Sequence, residues 1–330
     1  MKKCMAVLFL ALAAQSSFCQ SGGFPMGDYQ KAVELRDFTK ITQIIKKYGT
    51  NSPYYGDSVL YKAAEANDVE LVKVLLEAGI PKEMDSGVGA GVSLIYLALK
   101  SGNLDMVKLL MKHYPLDSGD VSAAIERGNI EALNLFMANG VDLSKGGSQG
   151  SYFGGEFYSY LNRAVLYGRL ELAKRFLKEG LSLNTLDISE SMTSPPDSFQ
   201  TIRSAMDIAK AAGNQEMKSW LLSNGAKSGY EILNGMSLPE IEERFRPKKR
   251  YGTGPDPLSY QTTTDDLRYR AEPTLAGAVL GLLNSREKLY VVCRSTEKMD
   301  IDGINEYWLY VISDTGKRGW AYGGYLKLKK

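Results

Sequence analysis

The chain has 330 residues, a formal net charge of +2, and 44% apolar against 24% charged residues. That length supports two domains with cores of their own, and the small net charge argues against nucleic acid or acidic lipid as partner. One histidine and three cysteines make Cys–His peptidase and zinc-amidase chemistry hard to build, because the first needs a paired nucleophile and base and the second several histidines.

Residues 1–23 read as a secretory signal peptide: Lys2 and Lys3 precede the apolar run Met5–Ala14, which is too short to span a bilayer. Two fates of the segment stay open, cleavage before Gln20 and lipidation of Cys19. No later stretch is long and apolar enough for a transmembrane helix. Cys4 and Cys19 fall in the leader, so Cys293 in LYVVC is left without an internal disulfide partner and reads as a small buried hydrophobe.

One clause then recurs five times. EANDVELVKVL (65–75), KSGNLDMVKLL (100–110), ERGNIEALNLF (126–136), YGRLELAKRFL (167–177) and AAGNQEMKSWL (211–221) align on Asn67, Gly102, Gly128, Gly168 and Gly213. Alanine stands four residues upstream each time (Ala63, Ala98, Ala124, Ala164, Ala209), and Ser58, Ser93, Gly119, Ser159 and Ser204 stand nine upstream. The serines predict helix N-caps, the alanines close helix approach, and the Gly or Asn a left-handed turn into a second helix. Gly79, Gly140, Gly180 and Gly225 predict where second helices stop. One such pair cannot bury its own apolar face, so copies must stack.

This register resembles the ankyrin repeat, best in 58–79 and 93–114, over about residues 26–228. A weaker first copy has Asp37 at its turn. The T-P-L-H tetrapeptide of that family is absent, with Tyr61, Tyr96, Ser122, Asn162 and Asp207 at its histidine position. The resemblance implies a protein partner on a concave face made by Lys62, Leu97, Lys100, Arg127, Arg163 and Tyr167. Turn residues are spaced 35, 26, 40 and 45 apart, so the later copies carry insertions at 146–160 and 181–201. Tyr152, Phe153, Phe157 and Tyr158 in the first insertion are candidate aromatic anchors for the partner, or a lid tucked onto the helices.

Residues 229–264 read as a linker with a possible short helix at 237–245. From Leu267 the period changes to two, in VLGLL, KLYVVC, YWLYVI and RGWAYGGYLKL, which predicts short strands of a small barrel. Leu267, Arg268, Arg270, Pro273, Leu280, Leu282, Trp308, Val311, Gly316, Gly319, Trp320, Tyr325 and Leu326 resemble the bacterial SH3 (SH3b) pattern over 265–328. The resemblance implies peptidoglycan or peptide as ligand, with Tyr269, Tyr307, Trp308, Tyr310 and Tyr322 as an aromatic groove. TEKMDIDGINEY (296–307) is longer than the corresponding loop of that family.

The expected fold is therefore α + β in two domains: an ankyrin-type α-solenoid of helix pairs (24–228) followed by a small SH3-like β-barrel (265–330). The expected function is a non-enzymatic, exported protein-binding scaffold of the bacterial cell envelope, periplasmic, secreted or lipid-anchored, needing no cofactor or metal. Two alternatives stand beside it: an SH3b barrel serving as a structural cap with no wall ligand, and an Asp/Glu-dependent hydrolase.

Overall fold

The computed structural model describes residues 25–48, 53–79, 93–151, 154–191, 199–245 and 259–328. The leader, the Gly-rich run at 87–91, Tyr152, Phe153 and the basic cluster at 246–250 lie outside the described residues. The chain divides into two compact units, Met1–Val141 and Asp142–Lys330.

In the first unit the repeated clause folds as helix pairs: α1 (Met26–Glu34) with α2 (Phe38–Tyr48), α3 (Pro53–Glu65) with α4 (Val69–Glu77), α5 (Leu94–Ser101) with α6 (Leu104–Met111), and α7 (Ser118–Arg127) with α8 (Ile130–Ala138). First helices pack in a row, α3 on α5 and α5 on α7, and second helices do likewise, α2 on α4, α4 on α6 and α6 on α8. Ala63, Ala98 and Ala124 are buried at these first-helix contacts, and Leu71, Val72, Leu75, Met106, Val107, Leu110, Leu133 and Phe136 fill the space beside them. Each apolar stripe is thus covered by its neighbour, which is why the clause repeats.

The turns follow backbone sterics. Asn67, Gly102, Gly128, Gly168 and Gly213 all have φ between 59° and 72°. The carboxamide Nδ2 of Asn103 donates to Oδ1 of Asn67 at 2.7 Å, so turn side chains of successive pairs are joined. A Cβ on Gly102 would meet nothing within 4 Å. The cost of Gly102→Ala is therefore backbone strain alone, about 1–2 kcal/mol, to be read as a loss of unfolding free energy in a urea titration.

Three local expectations shift. Ser58 lies inside α3 and Gly119 inside α7, whose cap is Asp117 in a reciprocal capping box with Asp120. In the first copy Arg36, at φ 54°, takes the left-handed turn, while Asp37 accepts from the Lys40 amide at 3.0 Å. Ser93, Ser159 and Ser204 do cap their helices.

The second unit holds two more pairs, α9 (Tyr160–Leu166) with α10 (Leu170–Lys178) and α11 (Ala205–Ala211) with α12 (Gln215–Ser223), where α9 packs on α11. The insertions are strands. β1 (Gly147–Ser151) and β2 (Gly154–Tyr158) form a hairpin, β2 pairs with β3 (Asp187–Ser191), and β3 pairs with β4 (Thr201–Arg203). Gly146 and Gly147 permit the hairpin, since a Cβ on either would come within 2.5 Å of Tyr158.

β4 then runs parallel to β8 (Lys288–Ile301), pairing Thr201 with Arg294, so the inserted strands continue into the C-terminal sheet. The strand order is β1-β2-β3-β4-β8-β9-β10-β6-β7, with β6 (Leu267–Arg270), β7 (Val279–Leu283), β9 (Ile304–Ser313) and β10 (Arg318–Tyr322); β5 (Ser259–Thr262) joins β8 to β11 (Leu326–Leu328). This is a β-rich C-terminal region built as one sheet of many strands. Residues 296–307 extend the β8–β9 hairpin instead of forming a loop, turning on Asp302 and Gly303, both at positive φ, as a tight hairpin turn requires.

The segment 229–264 contains two helices, α13 (Gly229–Gly235) and α14 (Leu238–Phe245), and strand β5. The sequence pattern changes near 228, yet the compact units divide at 141/142. The reason is β-pairing: the second insertion hydrogen-bonds to β8 through Gln200 and β4, and the first joins it through β2 and β3.

Candidate partner-binding surfaces

The expected first-helix surface splits by burial. Lys100 and Arg127 are exposed and Lys62 is half-buried, on the adjacent helices α5, α7 and α3. Arg127 pairs at 3.6 Å with its own neighbour Glu126, so the surface is of mixed charge. Leu97 is a correction: it is 5% exposed, because α5 is apolar on nearly every side and sits between α3 and α7. Tyr167, at the end of α9 in the second unit, is exposed.

Arg163 is a second correction. It is buried, with its Nη2 2.8 Å from Glu156 Oε2 and its guanidinium carbon 3.7 Å from the Tyr158 ring centre. Glu156 also pairs with Arg203 at 3.1 Å. Tyr158 is buried at 1% beneath this arrangement, whereas Phe157, one residue earlier on β2, is exposed; strand alternation sends neighbours to opposite faces. Of the four proposed anchors in the first insertion, only Phe157 is therefore placed at the surface among the described residues.

Asp187 completes the network. It is buried and accepts from the Ser159 amide at 2.9 Å and from Asn162 Nδ2 at 2.8 Å. Asn162, at the family's histidine position, also donates to the Thr185 carbonyl at 3.0 Å, and Asp207, at the same position one pair later, accepts from the Gly229 amide at 2.8 Å. An amide and a carboxylate thus tie each first helix to the segment that follows. Sequence reading missed Glu156, Asp187 and Arg203, because they lie in or just after insertions for which the repeat offers no register.

Burial pushes the Asp187 carboxyl up from 3.8 to about 6, against the hydrogen bonds from Ser159 and Asn162 and the charges of Arg163 and Arg203, which pull it down. The folded state therefore holds this proton more tightly than the unfolded chain. Its contribution to stability is present below about pH 4 and lost as pH rises through about 6. Wild-type protein is expected to lose stability relative to Asp187→Asn between pH 5 and pH 8, by about 1–1.5 kcal/mol, as read from urea midpoints of both proteins across that range.

The expected aromatic groove does not exist as a surface. Trp308, Tyr310 and Tyr322 are 2%, 0% and 2% exposed, and with Trp320 they form a core with Leu186, Ile202, Leu233, Ile241 and Phe245. Those last five come from the turn before β3, from β4, from α13 and, for Ile241 and Phe245, from α14. Tyr310 donates to Asn234 Oδ1 at 2.8 Å and stacks edge-on against Trp320 at 5.4 Å. Arg318 donates to the carbonyls of Asn234 and Met236 at the end of α13. Tyr307 and Tyr269 are half-buried and pack instead against the opposite core of Leu267, Leu283, Leu289, Val291, Leu309 and Val311. Period-two alternation forbids one groove: residues 307, 309 and 311 share a face, and 308 and 310 share the other. Tyr307 carries Arg294 and Lys298 over its ring, at 4.2 and 4.9 Å.

Among the described residues no group of three or more His, Cys, Asp or Glu is placed to hold a metal, and no helix is long and apolar enough to cross a membrane. Cys293 is fully buried, and burial pushes its thiol far up, which suppresses the thiolate that redox or nucleophilic chemistry needs. A depression on α2, lined by Phe38, Thr39, Thr42, Gln43 and Lys46, is open to solvent and brings no group of charges together.

Residues 30–121 match the family model for ankyrin repeats, in 3 copies. No curated protein matches the chain. Ankyrin repeats indicate a protein–protein interaction scaffold, and the matched segment is the one whose helix pairs stack with Lys62 and Lys100 on neighbouring first helices, Arg127 lying six residues beyond it.

Proposed function

We propose that this chain is an exported, non-enzymatic scaffold of the bacterial cell envelope that holds a protein partner on its ankyrin-type helices. The partner sits on the first-helix surface of α3, α5 and α7, through Lys62, Lys100 and Arg127. The C-terminal strands are an SH3b-type module used as a structural cap on the last two helix pairs, without a wall ligand. The observation that carries the cap reading is the burial of Trp308, Tyr310 and Tyr322, since a side chain covered by α13 and α14 offers no surface to a glycan. The leader delivers the chain across the inner membrane, and mass spectrometry of the mature N-terminus distinguishes cleavage before Gln20 from lipidation of Cys19.

Affinity in such a scaffold comes from a pre-formed surface that loses little entropy on binding. Cross-linking of the whole chain in envelope extract, with and without the pair Lys100→Glu and Arg127→Glu, tests the reading. A cross-linked protein present for wild type and absent for the double variant is expected; identical cross-links for both overturn it. Sedimentation of the whole chain with insoluble peptidoglycan tests the cap. Pelleting would overturn it and restore the wall-binding alternative.

A further inference from the structure

Among the described residues the sheet ends on one side at β7, which pairs there with β6 alone. Free edges invite foreign strands, and proteins usually guard them with lysine, proline or a polar sequence. The strand at the other end, β1, is guarded in that way, since its sequence GSQGS contains no apolar side chain. β7 is the reverse. Val279, Leu280 and Leu282 are 50%, 47% and 43% exposed, and Leu275 just before them is 54% exposed.

The charges beside this edge are ordered too. Arg268 stands directly opposite Leu282, and Arg270 opposite Val279, so each arginine shares a face with an exposed apolar residue. Arg268 is exposed, and neither arginine has a carboxylate partner among the described residues; Arg270 Nη1 donates to the Gly277 carbonyl at 2.8 Å. The exposed carboxylates Asp265 and Asp266 precede β6 at its other end, where Leu267 faces Leu283. The Leu282 carbonyl accepts from Lys317 Nζ at 2.9 Å, a donor outside the β6–β7 ladder that an added strand would displace and that Glu287 also holds, at 2.9 Å.

We propose that the free edge of β7 docks an extended peptide segment of alternating apolar and acidic residues, which joins the sheet as a further strand. Its backbone extends the ladder, its apolar side chains cover Val279, Leu280 and Leu282, and its carboxylates meet Arg268 and Arg270. Charge disfavours a second copy at this seam, because it would bring a duplicate pair of arginines to the same face. This site lies in the other unit from the surface proposed for the protein partner and does not depend on that reading.

Fluorescence anisotropy of the whole chain with a labelled Val-Glu alternating peptide tests the proposal, with a Val-Lys peptide of equal length as control. The Val-Glu peptide is expected to bind, and Arg268→Glu to weaken it about tenfold while improving binding of the Val-Lys peptide. Leu282→Lys and alternate N-methylation of the Val-Glu backbone should each abolish binding. Both substitutions replace exposed side chains, and unchanged thermal melting verifies that the variants fold. Lys100→Glu with Arg127→Glu should leave peptide binding intact. Equal binding of both peptides, or binding of neither, overturns the proposal. So does a concentration-dependent dimer in sedimentation that Leu282→Lys abolishes, because the occupant would then be a second copy.

Discussion

Tyr310→Ala is expected to destabilise the protein by about 3–5 kcal/mol. The side chain is fully buried, touches Trp320 edge-on, and gives its hydroxyl proton to Asn234. Truncation opens a cavity between the C-terminal sheet and the two covering helices, and it leaves Asn234 without that donor. Tyr310→Phe keeps the ring and loses only the hydrogen bond, which predicts a loss of about 1 kcal/mol. Urea unfolding of both variants separates the terms. Were Tyr310 a ligand-binding residue at a surface, alanine would leave the midpoint nearly unchanged, and an unaltered midpoint would refute the burial of this cluster.

Arg163→Ala is expected to cost about 3 kcal/mol. The guanidinium neutralises Glu156 at 2.8 Å, covers the Tyr158 ring and lies close enough to Asp187 to pull its proton affinity down. Without it, Glu156 keeps Arg203, and this half-buried carboxylate loses part of its compensating charge. Lysine at 163 should recover only part of the loss, since an ammonium lacks the flat surface that stacks on Tyr158. The same titration applies, and it also separates this residue from the surface cations. Lys100→Ala should shift stability by less than about 0.5 kcal/mol, because the Lys100 side chain is exposed. An Arg163 variant with unchanged stability and lost partner binding would return this residue to the interaction surface.

Both residues were chosen from sequence for partner contact, and both lie inside. The helical reading of α9 places Arg163 on the outer side of a first helix, which holds for a plain repeat. Here the residues inserted before α9 fold back as β1 and β2, and Glu156 arrives over that same side. Position 163 can be read from the period; the arrival of Glu156 cannot. For the aromatic residues the parity of the strand was enough to separate Tyr307 from Trp308 and Tyr310, so part of that correction was legible in the residues themselves. What covers the 308/310 face was not: the short helix expected at 237–245 is present as α14 (Leu238–Phe245), but no local pattern announces α13 or the packing of both on that face.

The sequence by itself determined the helix pairs, the serine caps at 93, 159 and 204, and the turns. Ala63, Ala98, Ala124, Ala164 and Ala209 are all buried, and Asn67 and the four aligned glycines all take the left-handed conformation; these depend on contacts within a few residues or on the next identical copy, and local physics repeats with the letters that encode it. Tertiary structure alone decided that β4 pairs with β8, that α13 and α14 roof the tryptophans, and that β7 is left open among the described residues. The two packing outcomes rest on contacts between segments 76 to 93 residues apart, and strand pairing uses backbone groups that every residue carries. Side-chain pattern marks a segment as a strand and leaves its neighbour to be chosen by the whole fold.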